Sequence, residues 1–424
     1  MLNLSANLPR RELSFWDSPL KWVSPASSIV LLMCLGAFGG AVYAQDDGRS
    51  IKVGEGDLFP SLRIDYLTNN NAFLTPDDET DANGVRISPT LSFVAERRLL
   101  QLRLQYAGEY ENYNESALNF DDHVFSLDAD AELSSRKRVR GRIRIAKEHE
   151  EFGRGITRGI ASPDIDLIDF VTVDVGGAYT FGAKNATGNL EFGLDIRDRS
   201  YQSEPELTEG LDYTQITPRG QFTYRLSDRS RALLELGVSN WSFSDSTDDR
   251  NDIFFNTGLL LSQGGKSGGS VRVGATRQVF DDSDRDDTTE ITADIAVFYR
   301  PVTFSRFDLR VERSFDDIDD TQVTSADSQE ISDLVRLGWV HSWSSRVRSR
   351  SFVSHNSTSR SCPEQGTDLV SAGLEFGLDV RSWVELGAGI VGQRRKEDSC
   401  PNVDVSDGLD FDRQIANIFV RVAL

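Results

Sequence analysis

Apolar and polar residues alternate with a period of two along nearly the whole chain, and this feature most constrains how the chain can fold. The clearest segment is 370–381, where one row of side chains is apolar and the other is small or charged. The two rows are Val370, Ala372, Leu374, Phe376, Leu378 and Val380 against Ser371, Gly373, Glu375, Gly377, Asp379 and Arg381. Successive residues of a strand point to opposite faces. A soluble core strand rarely carries several charges along one face, so the pattern predicts a strand that separates lipid from water.

About eighteen segments share this alternation, and the connections between them are alternately short and long. The segments are 61–67, 85–95, 98–110, 124–133, 137–147, 171–181, 188–199, 212–226, 231–243, 253–261, 270–280, 291–300, 304–315, 334–343, 347–353, 369–381, 384–392 and 414–424. The long connections are acidic, as in 77–81 and 281–287. Bacterial outer-membrane barrels have even strand numbers, tight periplasmic turns and longer extracellular loops.

We therefore expect an all-β protein, a transmembrane antiparallel up-and-down β-barrel of about 18 strands in the outer membrane of a Gram-negative bacterium. It would have short periplasmic turns and long acidic extracellular loops. Closure is required because an open sheet edge in hydrocarbon would leave backbone groups unpaired. Two soluble β-sandwiches or a periplasmic β-solenoid are the alternative folds.

The amino-acid composition argues against a helical membrane protein and against a nucleic-acid-binding protein. Hydrophobic residues make up 38% of the chain and charged residues 27%, and no internal run approaches the ~20 apolar residues of a membrane helix. A barrel is compatible with such an average because only every second residue of its strands faces lipid. The formal net charge of −21 argues against nucleic acid as a partner, since that partner requires a basic surface.

The first 44 residues have the features of an export signal. Basic residues precede the apolar stretch 29–42, and Val42-Tyr43-Ala44 is a small-residue cleavage site. The sequence thus predicts a signal peptide at 1–44 that is cleaved after Ala44. A periplasmic lead-in at 45–59 and the barrel at 60–424 follow.

Two cysteines, Cys362 and Cys400, stay in the chain after this cleavage, and each precedes a proline in a long connection. An even number of thiols in an exported protein indicates a disulfide between them. Two unpaired thiols are the alternative.

One hairpin carries acidic residues along its first strand and arginines along its second. The acidic row is Asp128, Asp130 and Glu132, and the basic row is Arg138, Arg140, Arg142 and Arg144. A turn at 134–136 sets these rows opposite each other, and each opposed pair contributes a few tenths to ~1 kcal/mol. A slip by one residue would place the arginines in lipid at ~2–4 kcal/mol each. We predict that both rows line the lumen, together with Arg86 and Arg103. Further arginines are expected to share it: Arg197, Arg199, Arg219 and Arg225.

The arginine row has two interpretations. It is a polar ladder for an anionic, hydroxyl-rich polymer, because guanidinium groups suit carboxylates. Alternatively, arginines and carboxylates neutralise each other and stiffen the barrel wall.

No catalytic residue, metal site or cofactor is predicted, and the chain is not expected to be an enzyme. Only His149, between Glu148 and Glu150, could sit in an outward-facing cleft as an imidazole oriented by a carboxylate. The acidic segment 282–293 resembles a calcium loop. However, Asp287 stands where such a loop needs glycine, and Ala293 stands where it needs glutamate.

Several short motifs resemble those of a known family. They are Pro60-Ser61-Leu62-Arg63-Ile64-Asp65-Tyr66, Asn69-Asn70-Asn71-Ala72-Phe73-Leu74 with Ile87-Ser88-Pro89, and Phe280-Asp281-Asp282-Ser283-Asp284-Arg285-Asp286-Asp287 with Tyr299-Arg300-Pro301. They are similar to the β-barrel porin 2 family, whose members are often encoded with exopolysaccharide-biosynthesis and exosortase genes. The resemblance implies an outer-membrane porin that assists export or secretion of an exopolysaccharide. Its partners would be outer-membrane lipid, the polymer and the periplasmic export machinery.

Two other functions stay open from the sequence. One is a general or substrate-selective diffusion porin, since barrels of this size enclose a water-filled channel. The other is a surface or adhesion barrel with a plugged lumen. Monomer and trimer are both open as oligomeric states.

Overall fold

Eighteen long antiparallel strands follow one another along the chain and close into a barrel. The computed structural model describes residues 50–152, 155–157, 166–244, 249–262, 264–283, 285–316, 330–360, 365–398 and 410–424. The predicted signal peptide and both Cys362 and Cys400 lie outside these ranges. The strands are β1 (Ile51–Val53), β2 (Gly56–Asn69), β3 (Ala82–Arg97), β4 (Leu100–Tyr113), β5 (Phe120–Ser134), β6 (Lys137–Glu150), β7 (Ile168–Phe181), β8 (Gly188–Tyr201), β9 (Tyr213–Arg225), β10 (Ser230–Phe243), β11 (Arg250–Leu261), β12 (Ser267–Phe280), β13 (Thr288–Val302), β14 (Ser305–Asp316), β15 (Glu330–Ser342), β16 (Val347–Arg360), β17 (Gln365–Arg381), β18 (Val384–Asp398) and β19 (Phe411–Ala423).

Closure joins the first long strand to the last. Each strand from β2 to β19 pairs with its successor, and 61–69 of β2 pairs with 415–423 of β19. The short strand β1 forms a hairpin with Gly56–Leu58 of β2, beyond the residues of β2 that β19 covers. The closed ring confirms the predicted up-and-down barrel. The wall starts at Gly56, so the last residues of the predicted lead-in belong to a strand.

The outer surface is inverted relative to that of a soluble protein. On β17, Leu374 and Phe376 are 38% and 47% exposed, whereas Glu375 between them is 2% exposed. Other strands repeat the pattern, with exposed Phe192 on β8 and exposed Leu236 on β10. An apolar outer face around enclosed polar side chains is the arrangement of a transmembrane barrel. We call the enclosed face the inner wall.

Tight turns lie at one end of the barrel, where β2 begins and β19 ends. Arg98 and Leu99 connect β3 to β4, two residues later than the sequence predicts. The predicted segments 291–300 and 304–315 place the next turn at 301–303, but Pro301 lies within β13, where the pairing shifts register between Tyr299 and Val302. Proline lacks the N–H of a regular ladder and is tolerated at such an irregularity.

The longer connections lie at the opposite end, which is the extracellular end in bacterial barrels. They contain the short helical turns Ser116–Leu118 and Gly155–Thr157 and one α-helical turn, Pro205–Thr208. Among the described residues, no helix combines the length and the apolar character needed to cross a membrane.

Candidate functional site

The barrel interior contains a cavity of about 190 Å³. Strands β6 to β14 contribute its lining, which mixes guanidinium, carboxylate, amide and hydroxyl groups. The polar lining includes Arg142, Arg144, Asp174, Asp195, Arg219, Glu235, Asn256, Arg272, Thr276 and Asp294. This half of the inner wall is therefore hydrophilic and carries both signs of charge.

The predicted register of the charged hairpin is confirmed. Strands β5 and β6 pair Glu132 with Arg138, Asp130 with Arg140, and Asp128 with Arg142. The alternation fixes this register, because a slip of one residue would turn every charged side chain to the apolar outer face.

Only one of these three facing pairs is a direct ion pair. Arg142 Nε lies 3.3 Å from Asp128 Oδ1. Arg140 instead reaches β8, where its Nη2 donates to both carboxylate oxygens of Glu191 at 2.8 and 2.7 Å. The Thr180 hydroxyl donates to the same carboxylate at 2.7 Å. The partner of Arg140 thus lies two strands away from its own.

The tight-turn end of the hairpin departs further from the expected pairing. Glu132 forms an ion pair with Lys184 of the connection after β7. Within the part of the chain that the structure describes, Arg138 and Asp130 form no ion pair.

Arg144 continues the ladder toward the loop end of the barrel. Its guanidinium lies 2.7 Å from Glu148 Oε1 on the same strand and 3.6 Å from Asp174 Oδ2 on β7. Asp174 also accepts from Arg197 Nε of β8 at 2.6 Å. These contacts link three neighbouring strands along the inner wall.

The two predicted lining arginines outside the hairpin lie on β3 and β4. Arg86 contacts Glu111, and its Nε lies 3.4 Å from Glu109 Oε1. Arg103 stands opposite Asp128 in the pairing of β4 with β5. Whether the nine predicted residues contact a passing solute stays a prediction.

Several charged residues of the cavity were not predicted as lining residues, namely Arg272 and the carboxylates Asp195, Glu235 and Asp294, whereas Arg219 was predicted to share the lumen. Arg272 Nη1 lies 2.8 Å from Asp294 Oδ2, and these residues face each other across β12 and β13. Arg219 Nε lies 3.2 Å from Asp195 Oδ2, and Arg219 Nη1 lies 3.7 Å from Glu235 Oε2. Opposite charges in the polar rows of adjacent segments are the sequence signal for such pairs.

A second ionic cluster holds the closing strands together. Glu375 of β17 lies 2.5 Å from Arg350 Nη1 and 3.0 Å from Arg63 Nη2. Arg63 of β2 also lies 2.8 Å from Asp65, and its guanidinium stacks 3.7 Å from the ring centroid of Phe419 on β19. The Arg63–Glu375 contact therefore spans the seam at which β19 meets β2.

Apolar loop residues pack at the loop end of the lumen. Phe152, Ala72 and Leu118 come from three different connections and form one buried cluster. Beside it lies a cavity of about 60 Å³ whose lining includes Glu151 and Arg413. Glu151 follows β6 and lies 3.4 Å from Arg413 of β19. These loops thus narrow the lumen at its outer end.

His149 does not occupy an outward-facing cleft, as the sequence suggested. It is 4% exposed, its Nδ1 lies 2.9 Å from Asp122 Oδ1, and its ring centroid lies 3.8 Å from that of Phe120. Packing against an aromatic ring and a buried carboxylate encloses the imidazole. Across the described ranges, no three His, Cys, Asp or Glu side chains are grouped so as to hold a metal ion.

Comparisons with known proteins give structural neighbours only. No protein-family model and no curated protein matches the chain. Solved structures that resemble it include the FrpB iron transporter from Neisseria meningitidis, with 7% identity over 86% of this chain and 82% of that one at a TM-score of 0.46. The outer membrane protein OpdK from Pseudomonas aeruginosa matches with 12% identity over 87% and 99% at 0.44. A BenF-like porin from Pseudomonas fluorescens matches with 14% identity over 88% and 100% at 0.45.

These identities and TM-scores carry no functional argument. The fold assignment rests on the strand pairing and the inverted surface described above. Membership of the β-barrel porin 2 family, which the short motifs indicate, stays a prediction.

Proposed function

We propose that this protein is an outer-membrane channel that passes hydrophilic solutes. The observation that carries the proposal is an inverted barrel: exposed Leu374 and Phe376 flank enclosed Glu375, and the interior holds a cavity lined by charged and polar groups. An apolar outer band matches the hydrocarbon core, and a polar interior matches water. The protein would lie in the outer membrane of a Gram-negative bacterium, which it reaches after its signal peptide has been removed.

The specific role that we propose is export of an exopolysaccharide together with a periplasmic machinery. Its support is the resemblance of the short sequence motifs and a wall of paired charges and amides, such as Arg272–Asp294 and Asn256. Hydroxyl-rich chains exchange hydrogen bonds with such groups at little net cost. Deleting the gene should reduce the mass of surface polysaccharide, and complementation should restore it. Unchanged polymer would refute export.

Diffusion of small solutes is the second candidate, favoured by the loops that narrow the lumen at its outer end. Phe152, Ala72 and Leu118 pack together there, and such a constriction suits small molecules rather than a thick polymer. Both candidate functions predict that the purified full chain conducts ions in planar bilayers. Absence of conductance, also after shortening of the loop that carries Phe152, would contradict a channel and favour a surface barrel with a plugged lumen. The same preparation would show whether the protein is a monomer or a trimer.

A further inference from the structure

Three arginines gather on the inner wall at the tight-turn end of the barrel. Arg138 is the second residue of β6, Arg225 is the last residue of β9, and Arg231 is the second residue of β10. In bacterial barrels this end faces the periplasm. We call these three residues the periplasmic arginine cluster.

The cluster brings like charges together. Arg225 and Arg231 stand directly opposite each other in the pairing of β9 with β10, an arrangement that destabilises a sheet. The charges of Arg138 and Arg225 both act on Arg231. Elsewhere on the inner wall, residues of opposite charge face each other. An example is Arg272 of β12, which faces Asp294 of β13.

Two of the nearby carboxylates are already bound by other cations. Glu191 accepts both hydrogen bonds from Arg140, and Glu132 is paired with Lys184. Both carboxylates act on Arg138, and so does Asp130, which forms no ion pair within the described residues. In the described chain, Arg138 Nε is a buried donor without an acceptor, and neither Arg225 nor Arg231 contacts a carboxylate.

The backbone fixes one of the guanidinium groups in place. Arg231 Nη2 donates to the carbonyl oxygen of Lys184 at 2.6 Å. With the side-chain amide of Asn189 turned so that its oxygen faces Arg231, this oxygen also accepts from Arg231 Nη1 at 3.2 Å. Positioned guanidinium groups bind carboxylate and phosphate groups through paired hydrogen bonds.

We propose that the periplasmic arginine cluster binds carboxylate or phosphate groups of solutes at the periplasmic mouth of the lumen. The inference rests on the proposed channel function and names anionic solutes as its substrate class. A bound anion offsets the repulsion between Arg225 and Arg231 and supplies the acceptor that Arg138 Nε lacks. The anion comes from a solute rather than from a lipid, because the lipid-facing row of the same strands holds Tyr224 and Leu234, both exposed.

Citrate binding to the detergent-solubilised full chain, measured by calorimetry at low salt, tests the proposal. The double variant R225Q/R231Q should lose about 100-fold in affinity, the loss of two charge-assisted hydrogen bonds. The matched control R306Q/R310Q removes two inner-wall arginines of β14 that are paired with Asp308 and Glu312. It should bind citrate within about twofold of the original protein, because its cations were already neutralised.

Absence of citrate binding to the original protein would overturn the site, and so would equal losses in both double variants. A further experiment compares citrate binding in nanodiscs of phosphatidylcholine with citrate binding in nanodiscs that contain phosphatidylglycerol. Equal citrate affinity in both supports a solute site, whereas competition by the anionic lipid would overturn it. Because calorimetry needs no conduction, a protein that binds citrate through these arginines but does not conduct would refute the channel and leave the site standing.

Discussion

Replacing Glu375 with glutamine should destabilise the barrel more than other charge removals on the same strand. The carboxylate is almost fully enclosed and lies within 3.0 Å of two guanidinium groups, those of Arg350 and Arg63. Removing one member of an enclosed ion pair costs ~3–5 kcal/mol. Because both arginines keep some contact with solvent and Arg63 keeps Asp65, we expect a loss of about 2–4 kcal/mol, or roughly 30- to 1,000-fold in the folding constant.

Urea-induced unfolding in phospholipid vesicles would measure this loss, followed by the fluorescence of the four tryptophans that lie outside the predicted signal peptide. The control is D368N on the same strand, where Asp368 pairs with His355 at 3.1 Å and both side chains are half exposed. An exposed pair of this kind contributes at most ~0.5–1 kcal/mol. Unfolding of E375Q like that of the original protein, or an equal destabilisation of D368N, would refute the stabilising role of this ionic cluster.

Three further predictions concern the loop cluster and the inner wall. F152A removes the ring that packs the loop cluster, so single-channel conductance should rise, and unchanged conductance would show that these loops do not limit flow. G387V places side-chain atoms against the ring of Phe419 and should lower the free energy of unfolding by about 1–3 kcal/mol; unaltered urea unfolding would contradict this packing. R140Q/R142Q leaves carboxylates without their cations and should shift the reversal potential in a salt gradient toward cation selectivity, whereas an unshifted potential would refute a role of the ladder in selectivity.

The strand layout could be predicted because its signal is local. Each strand needs only a two-residue period, and the charged rows of β5 and β6 fix their own register. The predicted turn positions were wrong where charged residues occupy the strand end as well as the turn, as at Arg97 and Arg98. Pro301 misled the prediction because a register irregularity accommodates it inside a strand.

Ion-pair partners could not be predicted, because they depend on curvature and closure. Arg140 faces Asp130 in the ladder but binds Glu191 on β8, since a long guanidinium side chain in a concave wall reaches beyond its neighbouring strand. The Arg63–Glu375 contact exists only once β19 has paired with β2.

The loop end carries no periodicity from which its packing could have been deduced. The burial of His149 depends on where Phe120 and Asp122 of β5 come to lie. Sequence spacing within one segment does not contain that information, so the imidazole was expected in an outward cleft.

Accessibility along β17 tests the central claim of an inverted barrel most directly. Nitroxide labels would be attached to single cysteines placed at 371, 374, 376 and 379, with the native cysteines replaced by serine, and the protein would be studied in lipid vesicles. Labels at 374 and 376 should collide with oxygen dissolved in the bilayer, and labels at 371 and 379 should be shielded from it, because successive residues face lipid and lumen in turn. Equal collision rates at all four positions, or ready access of a water-soluble nickel reagent to 374 and 376, would contradict the account.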